Sequence, residues 1–193
     1  MALLTETEVR ARARQMTTLR KSAAREILTE TASAGARFDV FLSHSSSEPE
    51  EILLGIKGYL EDAGLSLYVD RYTDPHLSPE KVTQETAKIL RGRLRASQSL
   101  LYVYSDHSQL SRWMPWELGF MDGANRKIGV APVVKTARNT FDGEQYLGLY
   151  PYLDRAKISE GTTWALWINR GEREYTEYPE WVRGRKEIAK HSV

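Results

Sequence analysis

The sequence predicts an α/β protein built on a mainly parallel sheet. From Arg37 onward, short apolar segments alternate with amphipathic stretches, which is the pattern of parallel strands joined by crossover helices. The segment Ser99–Tyr104 is apolar almost throughout, as expected of a central strand that is covered on both faces. The chain has 193 residues, of which 41% are hydrophobic and 27% charged, so it is long and apolar enough to bury a core.

The first 34 residues differ in composition from the rest of the chain. Basic residues alternate there with acids and alanines, and no turn signal occurs before Gly35. They predict one long amphipathic helix, capped by Thr5 with Glu8 three residues later. One narrow apolar stripe recurs at helical spacing and comprises Val9, Met16, Leu19, Ala23 and Ile27. This stripe must pack either on the chain's own domain or on a partner chain.

The remaining elements follow in order along the chain. We expect strands at 38–43, 65–69, 99–104, 128–134 and 164–168. The three main helices are each expected to begin at a serine cap and to end at a glycine or a serine. They are predicted from Ser47 to Gly64, from Ser78 to Ser97 and from Ser111 to Gly123. The sequence therefore divides into an N-terminal helix (1–34), one α/β domain (35–170) and a polar tail or short helix (171–193).

Composition excludes several classes of function. Lys and Arg number 27 against 26 Asp and Glu, for a net charge of +1, so no overall charge favours nucleic acid or an anionic membrane. The absence of cysteine excludes disulfides, thiol nucleophiles and thiolate metal sites. The four histidines are scattered without the spacing of metal ligands, so no metal site is predicted. No apolar run is long enough to span a membrane and no secretory core is present, so we expect a cytoplasmic protein.

Candidate functional residues follow three of the predicted strands. In an open parallel sheet, ligands bind outside the carboxyl ends of the strands. The segments at those ends are 43–47, which contains four serines and His44, then 70–79, which begins with Asp70, and 105–109. A run of serines that leads into a helix can either cradle a phosphate on backbone N–H groups or simply cap the helix.

Glu117 is the strongest candidate for chemistry. If Ser111 caps its helix, Glu117 lies in the second turn and Trp113 lies one turn earlier on the same face. A carboxylate beside an indole suits a cationic or flat aromatic ligand. The alternative is a solvated glutamate beside a core tryptophan. Pro115 falls within the first turns, where a proline can shift the start of the helix.

Three ordered motifs resemble those of the Toll/interleukin-1 receptor (TIR) domain. They are Phe38-Asp-Val-Phe-Leu-Ser-His44, Leu67-Tyr-Val-Asp70 and Ser111-x-Trp113-x-x-x-Glu117. The third is the most specific, because this string, preceded by Val103-Tyr-Ser105, marks family members that cleave NAD. The resemblance covers about Arg37 to Ile168. The later Tyr146-Leu-Gly-Leu-Tyr-Pro151 and the single-domain plan are also similar to the stand-alone TIR proteins of bacterial Thoeris anti-phage systems.

The resemblance implies a fold and a set of site residues. The fold would be flavodoxin-like, with a five-stranded parallel sheet in the order 2-1-3-4-5, flanked by helices and preceded by the extra N-terminal helix. Glu117 would be the catalytic residue, and the substrate-binding residues would be Ser43, His44, Ser45, Asp70, Ser111 and Trp113. NAD+ would be the substrate and no cofactor would be needed. Relatives often have an aromatic or basic residue where serines follow His44 here.

The resemblance also implies a reaction and partners. Nicotinamide leaves NAD+ as a neutral molecule, so Glu117 would stabilise the cationic ribosyl centre rather than protonate the leaving group. Attack by water would give ADP-ribose, and attack by an internal hydroxyl or adenine nitrogen would give a cyclic ADP-ribose. Implied partners are other TIR domains, bound through the loop Arg71–Pro79 called the BB loop, and a separate effector activated by the product. The alternatives are a non-catalytic TIR interaction module and an enzyme like the nucleoside deoxyribosyltransferases.

Overall fold

The computed structural model describes residues 2–29, 36–69, 83–124, 126–143, 145–158 and 161–191. The strands among these residues are β1 (Leu4–Thr5), β2 (Phe38–Ser43), β3 (Leu67–Tyr68), β4 (Ser97–Tyr104), β5 (Lys127–Val134), β6 (Tyr152–Lys157), β7 (Trp164–Gly171), β8 (Glu174–Glu177) and β9 (Ala189–Lys190). The α-helices are α1 (Glu6–Arg20), α2 (Ala24–Leu28), α3 (Glu50–Asp62), α4 (Gln84–Ala96), α5 (Met114–Gly123) and α6 (Tyr178–Val182). Short 3₁₀ helices span Ser108–Leu110 and Gln145–Leu149.

The sheet has the order β3-β2-β4-β5-β6-β7-β8-β9, and β1 pairs with β5 outside this path. The pairs from β3 to β6 are parallel, whereas β6 to β9 pair antiparallel. The order reverses between β2 and β4, because the chain runs from β2 outward to β3 before it returns to β4. This switch point opens a crevice at the carboxyl ends of β2 and β4.

The α/β, flavodoxin-like fold is confirmed, and the predicted fifth strand is corrected. The order of β3, β2, β4, β5 and β6 is the expected 2-1-3-4-5. The fifth position, however, holds Tyr152–Lys157, and the segment predicted for it lies in β7, one place further out and antiparallel. Tyr152–Lys157 contains Asp154, Arg155 and Lys157. Because strands were predicted from apolar runs, this charged segment was not predicted to be a strand.

The N-terminal segment forms two helices rather than one. The capping box at Thr5 and Glu8 is present, but Lys21 adopts a left-handed conformation with φ 52° and ends α1. The helix α1 packs on α3, and buried residues of both helices belong to one apolar core. Arg12 of α1 forms a bidentate ion pair with Asp62 of α3. Leu19 of the predicted stripe stays 78% exposed, because it lies near the end of α1, beyond the buried Met16.

Two further helix starts differ from prediction. The helix α3 begins at Glu50 after Pro49, with no side-chain cap, so Ser47 does not cap it. The predicted cap Ser78 lies outside the described residues, and α4 begins at Gln84 with the Thr83 hydroxyl accepting from the Thr86 N–H.

The core lies on both faces of the sheet. One face is covered by α1, α2, α3 and α6, and the other by α4 and α5. The segment after residue 170 adds β8, α6 and β9, and it buries Tyr178 and Trp181 in the first of these clusters. The domain boundaries at residues 34 and 170 stay predictions. Among the described residues, no helix has the length and apolar character to cross a membrane.

Candidate active site

Glu117 lies at the crevice between β2 and β4. It is in the first turn of α5, and its side chain is only 1% exposed. Ser43, the last residue of β2, donates a hydrogen bond from its hydroxyl to Oε2 of Glu117 at 2.5 Å. The helix amino terminus adds positive partial charge beside the carboxylate. The fold therefore fixes a buried carboxylate at the edge of the sheet where ligands bind.

Ser111 and Trp113 set the start of the helix that carries Glu117. The Ser111 hydroxyl accepts a hydrogen bond from the Met114 N–H at 3.2 Å, and the Trp113 carbonyl accepts one from the Glu117 N–H at 2.8 Å. The helix begins at Met114, three residues after Ser111, so Glu117 is in the first turn rather than the predicted second. Pro115 is its second residue, where no intrahelical N–H bond is needed.

The Trp113 ring is part of an aromatic surface on the same helix. It packs edge-on against Trp116 at 5.4 Å between ring centroids, and Trp116 contacts Phe120 at 6.0 Å. Trp113 is half-buried. This indole is therefore held in place beside the first turn of the helix, where a flat ligand group can contact it.

The loop after β2 is a tight turn that begins with two buried residues. His44 and Ser45 are nearly inaccessible, and His44 Nδ1 lies 2.9 Å from the carbonyl oxygen of Ser45. The Ser45 hydroxyl is 2.9 Å from that of Ser47 and also accepts from the Ser47 N–H. The Glu48 N–H donates to the carbonyl of Ser45. The hydroxyls of Ser45 and Ser47 therefore stabilise the turn, and the predicted substrate contacts of His44 and Ser45 stay a prediction.

A second buried carboxylate, which no sequence pattern predicted, follows this turn. Glu48 is 3% exposed and accepts a hydrogen bond from the Ser105 hydroxyl at 2.6 Å. Burial raises the pKa of Glu48, while the Ser105 bond and the neighbouring His107 and His44 lower it. The sequence offered one indication of Glu48. Glu48 and Ser105 each follow one of the two central strands, at the edge of the sheet where ligand-binding residues were expected.

A pocket of about 410 Å³ adjoins the start of α5. Its lining consists of Tyr102, Tyr104, Ser108, Gln109, Ser111, Pro115, Gln145, Tyr146 and Leu147. Tyr102 is the register partner of Ser43 on the neighbouring strand. No sequence motif singled out these tyrosines, although the predicted strands 38–43 and 99–104 already place Ser43 and Tyr102 on adjacent strands.

The structure brings together most of the predicted site residues but does not describe all of them. Glu117, Ser43, Ser111 and Trp113 share one end of the sheet, and His44 and Ser45 lie in the loop directly after it. Asp70 and the loop 71–79 lie outside the described residues. No cluster of three His, Asp or Glu side chains that could hold a metal occurs in the part of the chain that the structure describes.

Two curated proteins are similar to this chain. One, from Bacillus cereus (strain MSX-D12), is named probable 3′ cyclic ADP-D-ribose synthase ThsB′; it is 41% identical over 147 residues, which are 76% of either chain. The other, from Cytobacillus dafuensis, is named putative cyclic ADP-D-ribose synthase TIR2; it is 32% identical over 93 residues, covering 48% of this chain and 23% of that protein. No family model matches the chain.

Proposed function

Since the chain belongs to the TIR family of cyclic ADP-D-ribose synthases, we propose that it cleaves the bond between nicotinamide and ribose in NAD+ and closes the ADP-ribose into a cyclic signal. The observation that carries the proposal is the buried Glu117 carboxylate, held by Ser43 at the switch point of the sheet. A scaffold that only recruits other domains has no need of a carboxylate fixed in this way.

The reaction requires a placed negative charge more than an acid. Nicotinamide leaves with the electron pair of the glycosidic bond and becomes neutral, so no proton has to be supplied to it. The ribosyl carbon becomes cationic as the bond breaks. Glu117 stabilises this cation, and it acts strongly because the carboxylate is withdrawn from water and already oriented by Ser43.

The other site residues position the substrate. Trp113 supplies a flat surface one turn before Glu117, and Ser111 fixes the start of the helix through the Met114 N–H. His44, Ser45 and Asp70 are proposed substrate contacts on the strength of the family motif. His44 and Ser45 directly follow β2, whose last residue, Ser43, bonds to Glu117.

Three parts of the proposal concern the setting of the reaction. The TIR resemblance supports self-association through the BB loop, the activation of a separate effector by the cyclic product, and a role in anti-phage defence. The cytoplasmic location stays a prediction from the sequence.

The test is nicotinamide release by the purified protein, followed by chromatography with mass detection. It is run at high protein concentration with a crowding agent, because family precedent ties activity to assembly. Glu117→Gln keeps the shape of the side chain and removes its charge, and we expect at least a roughly hundredfold loss of release. Glu172→Gln is the matched control, because Glu172 is exposed in the turn between β7 and β8.

The outcomes separate the candidate functions. Unchanged release by Glu117→Gln contradicts the proposal. No release by the wild type, even in lysate of infected cells, favours the interaction module, and turnover of free nucleosides without turnover of NAD+ favours deoxyribosyltransferase chemistry.

A further inference from the structure

The pocket beside α5 begins one strand away from the catalytic carboxylate. Ser43 and Tyr102 are register partners on the parallel strands β2 and β4, so their side chains point to the same face of the sheet, and the strands lie about 4.8 Å apart. Ser43 donates a hydrogen bond to Glu117, and Tyr102 lines the pocket. Burial mainly raises the pKa of Tyr102, Tyr146 adds to this, and the charge of Glu117 raises it further, so carboxylate and phenol interact.

The lining of this pocket suits a neutral, flat heteroaromatic ring. Its volume of about 410 Å³ lies within the range of ~300–1,000 Å³ typical of small-molecule sites. Three tyrosines and Leu147 supply apolar surface, and the exposed Gln109 and Gln145 supply amide groups, whereas the Ser108 hydroxyl already donates to the Ser105 carbonyl. Among the described residues, no charged side chain lines it.

A neighbouring cleft of about 470 Å³ has a different character. Lys135, Asp106 and Arg138 line it, and Lys135 forms an ion pair with Asp106 at 2.6 Å. Tyr104 and Gln109 line both cavities. A neutral base therefore fits the uncharged pocket better than the charged cleft next to it.

Cyclisation sets a geometric demand that hydrolysis does not. The bond from the ribosyl carbon to nicotinamide breaks, and its electron pair leaves with nicotinamide. A hydroxyl oxygen of the adenosine half then bonds to that carbon and gives up its own proton to solvent, or a ring nitrogen of adenine bonds to it and the adenine amino group gives up the proton. In hydrolysis a water molecule bonds to the carbon and gives up the proton. The internal nucleophile wins only where the adenosine half is held beside the reacting carbon.

We propose that the pocket formed by Tyr102, Tyr104 and Tyr146 binds the adenine of NAD+ and folds the substrate over Glu117, so that ring closure prevails over hydrolysis. This inference rests on the proposed cleavage of NAD+ at Glu117. It adds an adenine subsite on the side of α5 that faces the Gln145–Leu149 segment.

Tyr146 offers the cleanest test. It is 38% exposed and belongs to a short 3₁₀ helix, and its hydroxyl shares a hydrogen bond with the buried Tyr102, which Tyr146→Ala and Tyr146→Phe both remove. At saturating NAD+, Tyr146→Ala should lower the ratio of cyclic to linear product at least roughly fivefold, the smallest effect expected from loss of one base–aromatic stack, and the ratio is independent of how far total nicotinamide release falls. Tyr146→Phe keeps the ring and should keep the ratio. Leu149→Ala is the matched control, because Leu149 is in the same segment, is 73% exposed and does not line the pocket.

A binding measurement tests the subsite without catalysis. In the Glu117→Gln background, Tyr146→Ala should weaken the binding of ADP-ribose at least roughly fivefold. It should leave the binding of nicotinamide mononucleotide, which lacks adenine, unchanged. Calorimetric titration measures both.

Each result has a distinct meaning. An unchanged product ratio in Tyr146→Ala, or a wild type that makes only linear ADP-ribose, overturns the role in ring closure. Equal weakening of both ligands, or of neither, overturns the adenine subsite. If the wild type releases no nicotinamide, the proposed function is contradicted. The binding of ADP-ribose then still decides whether the adenine subsite exists.

Discussion

The hydroxyl of Ser105 donates a hydrogen bond to Oε2 of Glu48 at 2.6 Å. Ser105 directly follows β4, and Glu48 ends the turn after β2. This bond therefore joins the loops of the two central strands on the side of the sheet where Glu117 lies. The Ser105 hydroxyl also accepts from the His107 N–H at 3.1 Å, so it orders its own loop as well.

Ser105→Ala should reduce the free energy of unfolding by about 1–3 kcal/mol near neutral pH, because the buried Glu48 carboxylate loses its donor. In the Glu48→Gln background the same substitution should cost less, because a neutral amide is cheaper to leave without that donor. Urea denaturation of the four proteins in this cycle measures the difference. Ser47→Ala, at an exposed serine of the same turn, is the control, and equal costs in both backgrounds would refute the coupling.

Ser43→Ala should reduce kcat for nicotinamide release roughly 10-fold to 100-fold with little change in KM, because Glu117 loses a hydrogen bond to its charged oxygen. Ser99→Ala is the matched control. Ser99 is a buried serine on β4 whose hydroxyl donates to the Asp39 carbonyl, away from Glu117. The two variants should lose stability similarly, and only Ser43→Ala should lose rate. A loss of rate that merely follows unfolding in both would count against a role for Ser43 at the carboxylate.

Asp154→Asn should stabilise the protein at alkaline pH. Asp154 is 1% exposed, and burial raises its pKa from 3.8 to about 7, although a hydrogen bond with Asn169 lowers it. Between these two pH values the Asp154 carboxyl is therefore protonated in the folded protein and ionised in the unfolded chain. This contribution is complete below pH 3.8 and is lost as the pH rises through 7.

The free energy of unfolding of Asp154→Asn should exceed that of the wild type by roughly 2–4 kcal/mol near pH 8 and match it near pH 4. Denaturant titrations across this range measure it. Asp106→Asn is the control, because Asp106 is exposed and its hydrogen bond with Lys135 lowers its pKa. If the difference in free energy of unfolding between Asp154→Asn and the wild type does not change with pH, the pKa of Asp154 is not raised.

Gly55→Ala should destabilise the packing of α1 on α3 by more than about 2 kcal/mol. A Cβ at Gly55 would overlap the carbonyl oxygen of Val9, which is backbone and cannot move aside. Gly92→Ala in α4 is the control, because no atom lies within 4 Å of its Cβ position, and it should stabilise by up to about 1 kcal/mol. Thermal unfolding of both variants decides, and similar midpoints would contradict close contact between the helices.

The apolar strand residues made the fold predictable and the Ser111-x-Trp113-x-x-x-Glu117 motif singled out Glu117, whereas other buried charged residues, which belong to no motif, were not predicted. Alternating apolar segments located β2, β4 and β5, whereas the helix that carries Glu117 begins at Met114, three residues after the predicted cap Ser111. Asp154 and Glu48 are carboxylates inside the protein, and hydropathy assigns such residues to the surface. Gly55 is important because of what packs on it from a distant segment, and no local pattern shows that.

The pairing of Leu4 with Val133 and of Thr5 with Val134 has a consequence for biosynthesis. The ribosome makes β1 first, yet this strand has no partner until β5 has emerged, with most of the chain already synthesised. The α1–α3 pair can assemble early, because its two helices are much closer in sequence. The amino-terminal strand therefore joins the sheet late in folding, and a stalled nascent chain shorter than residue 133 would leave it exposed to proteases.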